Sequence, residues 1–212
     1  MNVQEQLSQL SELPLSGQTL SQVLRDYARP YDKTVELVKE GKLTQLKRGL
    51  YIAGPELHGS RPEKFTIANH LYGPSYVSGE SALDFYDLIP ERVFPVISAT
   101  THRPGKFSNP AGEYLYFHVP IPYYFLGITT IELTEKQHVL IATREKALCD
   151  TVIFTKKLNI RSVRQARSYL LEDLRMDSYQ AAALDHEAIM AWSSYAPKRN
   201  SLTNLAKALS TL

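Results

Sequence analysis

Lys47, Arg48 and Gly49 are the residues whose types and spacing most directly imply chemistry in this chain. Two adjacent cations precede a glycine that tolerates the positive φ of a tight turn. On either side lie short apolar runs, residues 43–46 and 50–53, that read as the strands of a hairpin. Cations on a hairpin tip neutralise phosphates and release counterions from nucleic acid. Just upstream, Tyr31, Thr34, Val35 and Val38 fall on one helical stripe, and Gly41 stands where a left-handed cap would end that helix. Arg29, Lys33, Thr34 and Lys42 therefore join Lys47 and Arg48 as the candidate DNA-contacting set. From Arg29 to Arg48 there are six cations against three acids. So small a surplus predicts a weak single site and binding to repeated sites on one DNA.

A second cluster lies further on. Lys156, Lys157, Arg161, Arg164 and Arg167 are five cations with no acid between residues 151 and 171. The three arginines fan out opposite Val163, Ala166 and Leu170, and they are expected to form a surface for a polyanion or a protein partner. Chemistry of other kinds finds little support. The six histidines, His58, His70, His102, His118, His138 and His186, lack metal-ligand spacing. The run Ser78-Gly79-Glu80-Ser81 lacks the flanking glycines of a nucleophile elbow, Glu145-Lys146 lacks the spacing of a nuclease motif, and no glycine-rich phosphate loop occurs. The sequence therefore predicts neither an enzyme nor a bound metal or cofactor.

The elements that would position the first cluster can be read in order. Val3, Leu7 and Leu10 predict a helix over residues 2–12. Leu20, Val23, Leu24 and Tyr27 predict a second, with Thr19 as its cap. Arg29-Pro30 then forces a turn before the third helix, the spacing of a helix-turn-helix. A Pro- and Gly-bearing stretch at 54–62 predicts a linker. Beyond it, helical patterns at 62–72 and 78–89 and strands at 93–101, 114–119, 128–133 and 138–142 are expected. A helix from Thr143, another near Ser162 and two closing helices over 178–212 follow. Tyr116, Tyr123, Tyr124 and Phe125 are expected in the core. The fold class is α+β: an N-terminal winged helix-turn-helix domain over 1–58 and a mixed α/β domain over 62–212.

Composition agrees with a globular chain. Of 212 residues, 43% are apolar and 22% charged, and the net charge of +2 leaves any DNA affinity to local placement of charge. No stretch approaches the ~18 apolar residues of a membrane span, and residues 1–5 do not resemble a secretion signal. The single cysteine, Cys149, excludes an internal disulfide and reads as a packed residue. A cytoplasmic protein without a membrane partner is expected.

Three spaced segments resemble the AbiEi family of transcriptional regulators, antitoxins of type IV toxin–antitoxin systems. Gly41-Lys42-Leu43 through Lys47-Arg48-Gly49-Leu50-Tyr51 is similar to the family's G-x-L-x-x-x-x-R-G-x-Y run. Tyr76 to Leu83 resembles its Y-x-S-x-x-S-A-L segment, and Ala142 to Asp150 its A-x-x-E-K-A-L-x-D segment. The resemblance implies a winged-helix domain that represses its own promoter. It also implies an α/β domain that antagonises a nucleotidyltransferase toxin without necessarily binding it. A solitary winged-helix regulator with no toxin partner would carry the same segments.

Overall fold

A computed structural model describes residues 2–212, and its elements are mixed α and β. The chain falls into two compact units. The first comprises residues 1–73, 107–113 and 131–139, the second 74–106, 114–130 and 140–212.

The first unit opens with helix α1 (Val3–Gln9), started by a capping box in which Asn2 and Glu5 satisfy each other's backbone donors. Strand β1 (Leu15–Ser16) leads directly into α2 (Gly17–Val23). The cap of α2 is Ser16, not Thr19: the Ser16 hydroxyl accepts from the Thr19 amide at 3.0 Å. Helix α3 (Pro30–Lys39) begins where Pro30 has no amide hydrogen to leave unsatisfied. It ends at Gly41, whose φ is +70. The Lys42 amide bonds to the Leu37 carbonyl and the Gly41 amide to that of Val38, the paired bonds of a Schellman cap. Strands β2 (Leu43–Lys47) and β3 (Leu50–Ala53) pair antiparallel, with the register slipping at Leu46 and Gly49 turning the chain at φ +76. Because β1 pairs with β3, the sheet order is β1-β3-β2. Leu7, Leu20, Leu24, Leu37, Leu43 and Tyr51 fill the space between helices and sheet.

Residues 54–62, where the sequence predicts a linker, lie inside this unit. Helix α4 (Lys64–Leu71) belongs to it as well, fixed by Gln137, whose Oε1 accepts from the Glu63 amide and the Thr66 hydroxyl.

The second sheet has six strands in the order β6-β7-β5-β4-β9-β8. They are β4 (Ser75–Val77), β5 (Val96–Thr100), β6 (Gly105–Asn109), β7 (Gly112–His118), β8 (Ile128–Thr134) and β9 (Gln137–Ala142). β4 runs antiparallel to β5 and parallel to β9, and β5 runs parallel to β7. The helices of the second unit are α5 (Gly79–Phe85), α6 (Ile121–Tyr124), α7 (Arg144–Phe154), α8 (Val163–Ser168), α9 (Ser178–Ala182), α10 (His186–Ser193) and α11 (Arg199–Leu209). A π-helical turn, Tyr169–Asp173, continues α8. Three helices close the chain where periodicity predicts two. Tyr116, Tyr123 and Tyr124 are buried as expected, whereas Phe125 stands in solvent.

At the centre of the second unit is a buried carboxylate. Asp150 accepts hydrogen bonds from the Tyr76 hydroxyl at 2.9 Å, the Ser78 hydroxyl at 2.6 Å and the Tyr123 hydroxyl at 2.8 Å. One turn back on α7, the buried Lys146 ammonium lies 3.6 Å from Asp150. It donates to the Tyr123 carbonyl at 2.8 Å and sits over the Tyr123 ring, 3.0 Å from its centroid. Ser78 therefore turns its hydroxyl to Asp150 and leaves the first turn of α5 without a side-chain cap. Burial lowers the Lys146 pKa against the opposing pull of Asp150, and burial, aided by Asp150, raises the Tyr76 and Tyr123 phenols well above their ordinary value. Cys149 is also buried, and the same desolvation pushes its thiol up.

Removing one partner of a buried pair costs about 3–5 kcal/mol, because the other charge stays buried and unmatched. Asp150→Ala is therefore expected to lower the thermal midpoint by about 10 °C. A Lys146→Met, Asp150→Leu double variant should recover part of that loss. An unchanged midpoint for Asp150→Ala, read by calorimetry, would contradict a structural role for the network.

Candidate nucleic-acid interface

The face that α3 turns inward is set by Thr34, Leu37 and Val38. Thr34, included among the candidate contacts, is only 6% exposed, and its hydroxyl donates to the Pro30 carbonyl at 2.9 Å. It packs the helix and offers nothing to a ligand. Conversely, Tyr31 and Val35, read from periodicity as part of the apolar inner stripe, are 73% and 37% exposed. With Asp32, Glu36 and Lys39 they make up the outward face.

The candidate cations divide by what holds them. Arg29, the backbone cap of α3, lies 3.5 Å from Asp32. Lys33 lies 2.7 Å from Glu36, whose hydrogen bond raises the Lys33 pKa, and 5.5 Å from the centroid of the Tyr27 ring. Lys42 lies 2.7 Å from Glu40 and lowers that carboxyl's pKa. Solvent screens pairs of this kind, so a phosphate could replace any of the three carboxylates at little cost. Lys42 sits at the opposite end of β2 from the hairpin turn, in the stretch that follows the α3 cap.

At the turn itself the two cations differ. Lys47 reaches back and donates to the Leu71 carbonyl at 2.6 Å, capping the C-terminal end of α4. Arg48 is exposed and, like Lys39, has no ion pair among the described residues. The structure thus leaves one free cation at the tip and one on the outer face of α3, with Arg29 and Lys33 held only by exposed carboxylates.

In the second unit, Lys156 and Lys157 are exposed in the turn after α7. Arg161 precedes Ser162, the cap of α8, and Arg164 and Arg167 lie on that helix. All five are exposed, while Ala166 and Leu170 point into the core and Val163 sits at its edge. Arg167 donates to the Thr211 carbonyl at 2.9 Å. Arg161 lines a polar groove with Asn200, Thr203, Asn204 and Lys207 of α11, where no carboxylate is found. The sequence reading missed the α11 side of this groove because those polar residues are spread among the apolar positions of the last helix.

Among the described residues there is no group of His, Cys, Asp or Glu arranged to hold a metal ion, and no helix is long and apolar enough to cross a membrane.

These features define a mixed α+β chain with exposed cations on α3 and the β2–β3 turn of the first unit and along residues 156–167 of the second. No family model and no curated protein matches it. Among solved structures it is similar to the RV2827C protein from Mycobacterium tuberculosis, with a TM-score of 0.63 over 98% of this chain and 76% of that one at 16% identity. At that identity the likeness concerns the fold alone.

Different effects on stability are expected from the two tip cations. Lys47→Met removes a charged donor from the end of α4 and should cost about 1 kcal/mol. Arg48→Ala should stay within about 0.5 kcal/mol of the parent. Urea midpoints measure both, and equal losses would contradict the assignment of Lys47 to α4.

Proposed function

We propose that the chain is a DNA-binding transcriptional repressor of its own promoter, with residues 1–58 forming a winged helix-turn-helix. The observation that carries this reading is the order helix, strand, helix, helix, strand, strand with the sheet ordered β1-β3-β2. In a winged helix the third helix enters the major groove and the β2–β3 turn is the wing beside the backbone. Here those two places hold the exposed face of α3 and the unpaired Arg48. A helix with its side chains is about 10–12 Å across, which suits a major groove of about 12 Å.

The resemblance to AbiEi regulators adds a second role, antagonism of a nucleotidyltransferase toxin in a type IV toxin–antitoxin system. Support for it is of a different kind. Tyr76, Ser78, Lys146 and Asp150, which carry two of the three resembling segments, are the residues of the buried carboxylate network. They speak for a shared scaffold, and a solitary regulator would need them equally. In this reading the exposed cations Lys156, Lys157, Arg161, Arg164 and Arg167 of the second unit would meet a toxin or its substrate. Neither an enzymatic activity nor a membrane partner belongs to this reading.

The experiment measures affinity for a duplex from the region upstream of the protein's own reading frame across a salt series. The parent chain should lose affinity steeply as salt rises. Arg48→Ala should weaken binding to all sequences alike and reduce the slope of log affinity on log salt by about 1. Retention of the full slope in Arg48→Ala would remove the wing from the interface.

A further inference from the structure

The outward face of α3 is unusual for a helix that must meet a polyanion. Its exposed apolar side chains are Tyr31 and Val35, one turn apart, with 73% and 37% of their surface exposed. Arg29 and Lys33, the cations nearest them in the helix, are each paired with a carboxylate of the same helix, Asp32 or Glu36. Guanine is read by a free arginine or lysine that bonds O6 and N7 together, and adenine by an asparagine or glutamine. Residues 30–39 contain no arginine, asparagine or glutamine, and their one unpaired cation, Lys39, lies in the last turn. Base edges are met by the first turns of a recognition helix, and there the exposed side chains outside an ion pair are Tyr31 and Val35. The one apolar group on the floor of the major groove is the C5-methyl of thymine.

From this juxtaposition we infer that Tyr31 and Val35 read thymine methyl groups, so that sequence selectivity comes from apolar contact and the cations serve only to hold the backbone. The occupant of this face is duplex DNA with thymines at two neighbouring positions of each site. The surplus of six cations over three acids between Arg29 and Arg48 favours that occupant over an apolar protein. Within the helix Asp32 and Glu36 are held by Arg29 and Lys33, and free Arg48 lies in the same unit at the β2–β3 turn. Selectivity by methyl contact is modest per base, which agrees with the small cation surplus in favouring repeated sites.

The inference rests on the DNA-binding reading above, and the test separates the two. The full chain is used to select duplexes from a random-sequence library. The selected duplex is then resynthesised with deoxyuridine replacing thymidine one position at a time, which deletes only the methyl. Loss of one buried methyl should weaken the parent chain about fourfold at each thymine that is read, with the salt slope unchanged. Val35→Ala and Tyr31→Ala, both at exposed positions, should keep the salt slope and the fold by circular dichroism. Each should become indifferent to deoxyuridine at the position it reads. If no duplex is bound in a salt-dependent way, the DNA-binding reading fails and this inference with it. If binding is salt-dependent but deoxyuridine weakens it nowhere, the methyl readout alone is overturned. The same holds if the penalty persists in both variants.

Discussion

The second unit depends on keeping one buried carboxylate satisfied. Asp150 has no solvent exposure and receives hydroxyls from the end of β4, from the residue that follows it and from α6, while Lys146 beside it is equally buried. Two charges in a protein interior gain stability only when geometry and hydrogen bonds offset their lost hydration. Here three hydroxyls, a backbone carbonyl and an aromatic face share that task. Strand β4, the short helix α6 and helix α7 are thereby tied at one point. Such a network gives specificity of arrangement, since an apolar substitute would tolerate sliding that hydrogen bonds do not.

The first unit obeys a different constraint. Its elements are short, the helices running from 7 to 10 residues, and helices of that length are unstable alone. What stabilises α1, α2 and α3 is one apolar cluster together with end-capping by Asn2, Ser16 and the Schellman turn at Gly41. With inner positions committed to packing, the outer face of α3 and the β2–β3 turn are left exposed. Lys47 shows how the division can fall within one dipeptide: it secures α4 while its neighbour Arg48 stays free.

How much of this was legible varies with the range of the interaction. The hairpin and the end of α3 could be read because Gly41 and Gly49 act locally, through backbone angles that other residues resist. The facing of α3 could not, since Thr34 and Leu37 and the exposed pair Tyr31 and Val35 define adjacent stripes, and periodicity alone does not say which meets the core. Strand β6 escaped notice because Gly105–Asn109 is polar and resembles turn chemistry. Lys146 and Asp150 share a helix face by spacing. Their partners Tyr76 and Tyr123 stand 74 and 27 residues from Asp150, so the network existed in the sequence only as unexplained motif positions. The extent of the first unit was hidden for a similar reason, because Gln137 fixes α4 from 71 residues away.

The central claim is that ligand chemistry resides on the exposed face of α3 and the β2–β3 turn while the motif residues of the second unit hold the fold. Amide chemical-shift mapping of the isotopically labelled full chain, titrated with its upstream duplex, tests it most directly. The largest shifts are expected at residues 29–39 and 47–49, with the amides of Tyr76, Ser78, Lys146 and Asp150 unmoved. Shifts confined to residues 156–167 and 199–207, or centred on Asp150, would contradict it.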